Sequence, residues 1–254
     1  VYGASERPPR GDYSRAQTDY TCPQHYAAYT DADHDTWRRL YERQAALVAG
    51  RACDVFIRAL PSLGPSHHIP RFEQINERLH KATGWEIVGV PGLIPEVPFF
   101  TLLANRQFPV TDWIRKPEEF DYIVEPDVFH DFFGHVPLLF DRTYADHLHE
   151  YGKGGLKAMR LDAAKLLARL YWYTIEFGLI KVGSSVRAYG AGLLSSGGEL
   201  AYCVEDPRPR RLPRTERVYP RVQGRFPEVR RRHGARLGER DCGFRQSVPV
   251  RPRR

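Results

Sequence analysis

Apolar residues along this chain recur mostly at helical spacing and alternate only in short stretches. Trp37, Leu40, Tyr41, Gln44, Leu47 and Val48 share one helical face, Asp31 or Asp33 can cap it, and Gly50 follows its end. A second helical run, Arg51 to Leu60, stops at the loop signal Pro61-Ser62-Leu63-Gly64-Pro65. Arg71 to Thr83 is helical with Gly84 as its cap, and Trp85 to Val90 reads as a short strand. Pro91 to Pro95 is a turn or extended loop, Phe99 to Asn105 is helical in tendency, and Val110 to Ile114 alternates like a strand. Farther on, Arg142 to Tyr151 predicts a short helix, and Gly152-Lys153-Gly154-Gly155 a flexible linker. Leu161 to Ile180 predicts a long amphipathic helix. Val186 to Tyr189 and Leu200 to Val204 read as short strands around a glycine-rich turn. The predicted fold class is therefore mainly α with a few short β-strands (α+β).

Composition fits one packed unit. A chain of 254 residues, 42% hydrophobic and 12% aromatic, buries one sizeable core, which excludes disorder throughout. No run of eighteen apolar residues occurs, and Val1 to Arg15 has no signal-peptide apolar region. Cys22, Cys53, Cys203 and Cys242 are scattered, which favours free thiols over a disulfide framework. A soluble cytoplasmic protein is expected.

The net charge of +7 hides a division. Residues 1–204 carry 16 Arg and 6 Lys against 25 acidic residues, a net of −3; residues 205–254 carry 16 Arg and no Lys against 6, a net of +10. The expected organisation is a loose N-terminal arm over 1–18, a folded domain over 19–213 and an atypical tail over 214–254. The tail's arginine-rich, lysine-free composition is what a shifted reading frame of high-GC DNA gives. A frameshift or assembly error is expected there ahead of a genuine basic tail, and with it disorder.

Candidate chemistry centres on Glu125 to Pro137, where His130 and His135 stand five residues apart among aromatic and aliphatic neighbours. On an ideal α-helix five residues turn the chain by roughly 500°, leaving the rings about 140° apart. They converge only if the helix is interrupted, and Gly134 and Pro137 stand where that can happen. Two buried, backbone-bonded histidines are the plain alternative. Glu176 adds weight to the other reading: it sits among Trp172, Tyr173, Leu179 and Ile180, and a carboxylate there is costly without a cation or good donors. Two histidines and a carboxylate around open positions form the facial triad of non-haem ferrous oxygenases. His67, His68, His147 and His149 read as surface residues.

Three stretches carry a resemblance: Pro126-Asp127-Val128-Phe129-His130-Asp131-Phe132-Phe133-Gly134-His135-Val136-Pro137, Tyr171-Trp172-Tyr173-Thr174-Ile175-Glu176-Phe177-Gly178-Leu179 and Tyr189-Gly190-Ala191-Gly192-Leu193-Leu194-Ser195-Ser196. Together they resemble the pterin-dependent aromatic amino acid hydroxylases, in particular the single-domain bacterial phenylalanine 4-hydroxylases, over roughly Asp19 to Pro213. The resemblance implies Fe(II) on His130, His135 and Glu176. It implies a tetrahydropterin (tetrahydrobiopterin or a bacterial analogue) at Gly92, Leu93 and Ile94, with Phe99 stacked on it and Asp131 as its acidic neighbour. It assigns Arg115 to the substrate carboxylate, where a planar guanidinium offers two parallel donors. Trp172 falls in the substrate pocket or supports the metal, and Ser195 touches the substrate region or a ligand histidine.

The implied reaction converts L-phenylalanine to L-tyrosine with dioxygen and the reduced pterin, by a monomer with no membrane or nucleic-acid partner. Tryptophan or tyrosine hydroxylation within the same family remains an alternative, since an apolar pocket discriminates ring size only modestly. Two other classes compete: a zinc hydrolase with the same three ligands, and a nucleic-acid-binding protein, suggested by the arginines of the tail.

Overall fold

The computed structural model describes residues 10–205. The expected tail over 214–254, and the first nine residues of the expected arm, lie outside the described residues. Nine α-helices, two π-helical turns and four short strands make up most of this part. In order they are α1 (Asp31–Val48), α2 (Asp54–Ala59), α3 (Phe72–Thr83), β1 (Glu86–Val90), α4 (Glu96–Ala104), β2 (Gln107–Thr111), the first π-turn (His130–His135) and α5 (Val136–Leu139). Then come α6 (Arg142–Arg160), α7 (Ala164–Tyr171), the second π-turn (Trp172–Glu176), β3 (Leu179–Val182), β4 (Ser185–Ala188), α8 (Ala191–Leu194) and α9 (Gly197–Glu205). The α+β class, mainly helical, is as the pattern predicted.

Helix α1 is capped by Thr30, one residue before the first of the expected caps. Thr30 accepts from the Asp33 backbone while the Asp33 carboxylate accepts from the Thr30 backbone, a reciprocal capping box. Its apolar face carries the core inward: Trp37 meets Phe129 and Phe132 edge-on at 5.5 and 5.7 Å, and Tyr41 meets Phe133 at 5.3 Å. Phe132 and Phe133 of the first π-turn are thereby committed to α1, whereas the flanking His130 and His135 line a cavity.

Strands β1 and β2 pair in parallel, Ile87 opposite Phe108 and Val88 opposite Pro109. Alternation had placed the second strand at Val110 to Ile114; it begins three residues earlier. Both strands of a two-stranded sheet are edges, so Pro109 is tolerated without its N–H. β3 and β4 form an antiparallel pair.

Three expectations are corrected. The glycine cluster is no linker, because α6 runs unbroken through it. A Cβ at Gly152 would lie 2.4 Å from the Ala104 nitrogen, and one at Gly155 2.0 Å from Phe100 Cδ1. Those glycines let α6 lie directly on α4, and the packing outweighs their poor helix propensity. Leu161 to Ile180 is not one helix; it breaks at the second π-turn and ends in β3. Leu200 to Val204 is helical, inside α9, with Leu200 and Cys203 as its buried residues.

The arm over 1–18 is fastened in its described part. Arg10 pairs with Glu119, Tyr13 Oη donates to the Leu93 carbonyl at 2.8 Å, and Arg15 Nη1 meets Asp112 Oδ2 at 2.6 Å. Mixed polar composition reads as looseness in sequence, but each of these groups has a partner far along the chain.

Candidate active site

The two histidines converge because the helix between them is widened, not opened. With bonds running from i to i+5, five residues make roughly one turn, so residues that diverge on an α-helix come to share a face. The rings lie 5.3 Å apart between centroids and nearly perpendicular, at 85°. Gly134 serves a tight contact: a Cβ there would be 2.9 Å from the Ala191 carbonyl oxygen. Helix α8 can thus lie against the π-turn, which brings Ser195 to His130.

Glu176 also ends a π-turn, closed by an i to i+5 bond from Phe177 N to the Trp172 carbonyl at 3.1 Å. Its Oε1 lies 3.3 Å from His135 Nε2 and its Oε2 3.6 Å from His130 Nε2. All three residues are buried, and among the described residues Glu176 Oε2 has no hydrogen-bond partner. Burial pushes the Glu176 carboxyl up, but the His135 ring, then His130, outweighs it and holds the group below its ordinary range. Burial lowers His130, which favours its neutral ring.

A second carboxylate competes for the same place. The ligand atoms of His130, Asp131 and His135 lie within 4.8 Å of one another, a spacing that could hold a metal ion. Asp131 Oδ1 is 4.0 Å from His130 Nε2, while its Oδ2 accepts the Thr111 N–H at 2.8 Å. Burial pushes Asp131 up, toward its neutral form. Glu176 lies nearer the two rings and is half unpartnered among the described residues, so it could serve as a third ligand; a cation would compensate its orphaned oxygen. Two nitrogens and one carboxylate suit ferrous iron.

Ser195 fixes the ring behind this cluster. Its Oγ–H donates to the Ala191 carbonyl at 2.8 Å, so Oγ accepts from His130 Nδ1 at 2.9 Å. That places the proton on Nδ1 and leaves the Nε2 lone pair facing Glu176.

One cavity adjoins the cluster. Gly92, Leu93, Ile94, Phe99 and Trp172 line it together with His130, Asp131, His135 and Glu176. Phe99 is held edge-on by Phe100 and Tyr171, both at 5.5 Å. Arg115 and Ser195 are not on its wall. Arg115 is no solvent-facing residue either: it is buried, and its Nε and Nη2 bond the two oxygens of Asp127 at 2.8 and 2.9 Å. Burial raises the Asp127 carboxyl, but the Arg115 charge and the bonds it accepts hold it below the usual range. Sequence reasoning passed over Asp127. A signal existed, since an Asp three residues before His130 can cap the helix start, and its Oδ1 accepts the His130 N–H at 3.0 Å.

A family model for biopterin-dependent aromatic amino acid hydroxylases matches residues 10–221. The chain belongs to that family. The hydroxylase family also supplies the similar proteins. A phenylalanine-4-hydroxylase of Ralstonia nicotianae is 52% identical over 202 residues, covering 79% of this chain and 64% of the relative. One from Chromobacterium violaceum is 53% identical over 200 residues, covering 78% and 67%. The chain thus spans about two thirds of these relatives' length. Among solved structures, the Chromobacterium violaceum phenylalanine hydroxylase bound to cobalt superposes with a TM-score of 0.76 at 48% identity, over 80% of this chain and 79% of that one. Its form with iron and phenylalanine gives 0.73 at 52% identity, over 77% and 71%.

Proposed function

We propose that this chain hydroxylates L-phenylalanine to L-tyrosine, using dioxygen and a tetrahydropterin at one ferrous ion held by His130, His135 and Glu176. The observation that carries the reading is the convergence of both Nε2 atoms on one buried, half-unpartnered carboxylate beside an apolar cavity. Phenylalanine as substrate is supported by relatives of about 50% identity bearing that name, one of them solved with iron and phenylalanine. When bound, ferrous iron and the reduced pterin supply the activation of dioxygen, one oxygen atom going to the aromatic ring and the other to the pterin.

The chain's own residues bind, orient and keep water out. Ser195 holds His130 in the tautomer that offers Nε2 as a ligand. Gly92, Leu93 and Ile94 supply the backbone wall for the pterin, Phe99 a ring to stack on it, and Asp131 a polar partner beside it. Trp172 forms the apolar wall on the side of the substrate ring. Arg115 receives the substrate carboxylate only with donors that Asp127 leaves over, and its pairing with Asp127 sets the orientation of that fork. In this reading residues 19–213 are the catalytic domain of a cytoplasmic monomer, and the free thiols of Cys22 and Cys53 fit a reducing compartment. Among the described residues no helix is long and apolar enough to cross a membrane.

Aerobic incubation with ferrous iron, tetrahydropterin and each aromatic amino acid in turn tests the proposal. Tyrosine should form from phenylalanine only when iron and pterin are both present. Preference for tryptophan, or zinc-dependent hydrolysis without dioxygen uptake, would overturn it.

A further inference from the structure

The loop between β1 and α4 lines the cavity, and two of its carbonyls are held by side chains. Val90 O accepts from the Asp112 N–H, and Pro95 O accepts from the Phe99 N–H at the start of α4. Between those two points, Pro91 O takes the indole N–H of Trp113 at 3.0 Å, and Leu93 O takes the Tyr13 hydroxyl at 2.8 Å. Tyr13 lies across the outer side of the same turn: a Cβ on Gly92 would be 3.0 Å from its Oη. The backbone before it is equally close, since a Cβ on Gly11 would overlap the Pro91 carbonyl oxygen at 1.5 Å. Arg10 completes the contact, with its guanidinium 4.5 Å from the Trp113 ring centroid and its charge paired with Glu119.

We infer that Tyr13, on the N-terminal segment, is a positioning residue for reduced pterin: it fixes the Leu93 carbonyl and with it the loop that forms the pterin's backbone wall. The inference rests on the functional reading above. A hydrogen bond from a half-buried hydroxyl to a loop carbonyl that has no other partner among the described residues contributes a modest amount, and its loss lets the loop sample other conformations. A ligand that requires one of those conformations then binds more weakly by the fraction lost. A rise in the pterin dissociation constant of about fivefold is expected, equivalent to roughly 1 kcal/mol.

Tyr13→Phe keeps the ring and removes only the hydroxyl. Three measurements on the full chain separate the outcomes. Calorimetric titration with a tetrahydropterin under anaerobic conditions should show the fivefold weakening. Amide exchange at Leu93 and Ile94 should quicken in the absence of any ligand. Steady-state kinetics should show a raised KM for pterin, with kcat and the KM for phenylalanine unchanged. Faster exchange with unaltered pterin affinity would overturn the inference, because the loop would then not be what limits binding. Weaker binding with unaltered exchange would also overturn it, since Tyr13 would act other than through the loop. A KM for phenylalanine that rises equally would mark a general loosening instead. Wild-type protein that takes up no pterin would sink the functional reading and this inference with it; wild type that binds, matched in every respect by the variant, would sink the inference alone.

Discussion

Arg115 and Asp127 form a doubly bonded ion pair with side chains only 4% and 0% exposed, and the same carboxylate accepts the backbone N–H groups of Arg115 and His130. One aspartate therefore ties the segment after β2 to the start of the histidine turn. Removing one member of such a pair leaves a buried charge without compensation.

We predict that Asp127→Asn lowers unfolding free energy by about 3 kcal/mol, the lower end for a broken buried pair. Arg115→Lys keeps the charge but cannot span both oxygens, so its loss should be smaller, while apparent phenylalanine affinity falls and iron content stays. Urea denaturation of both variants checks the ranking. Equal stability in Asp127→Asn and wild type would show that the pair does not anchor the turn.

For the metal, the two shells should separate. Ser195→Ala leaves the three proposed ligands in place but frees His130 to turn, and a loss of roughly 10–100-fold in ferrous affinity is expected, as for other partners behind a ligand. Glu176→Ala removes a ligand and should lose more. Competition against a chelator of known affinity gives both values. If Asp131→Ala proved the costlier change, the third ligand would be Asp131 and the assignment to Glu176 would fall.

The glycines of α6 offer a test with opposite signs. Gly155→Ala drives a methyl into Phe100 and should cost about 1–3 kcal/mol by overpacking. Among the described residues no atom outside the helix's own backbone lies within 4 Å of a would-be Cβ at Gly154, so Gly154→Ala should stabilise by roughly 0.5–1 kcal/mol through helix propensity. Thermal unfolding of the two variants would reveal a flexible break, contrary to the helix described, if both changes proved neutral.

By itself the sequence determined the fold class, the face of α1, the span and glycine cap of α3, and the identity of His130, His135 and Glu176 as the residues to watch. Those properties are local: a repeating apolar period, a cap, and ionisable groups set in apolar surroundings. Tertiary structure decided the rest. Helical period cannot announce a π-turn, because widening by one residue depends on what packs on each side, here α1 against the phenylalanines and α8 against Gly134. Nor could spacing reveal that Arg115 spends two donors on Asp127 twelve residues away. The glycines of α6 and the polar arm at Tyr13 misled for the same reason: intrinsic preference favours disorder in both, and close contact with α4 in one case and a loop carbonyl in the other overrides it.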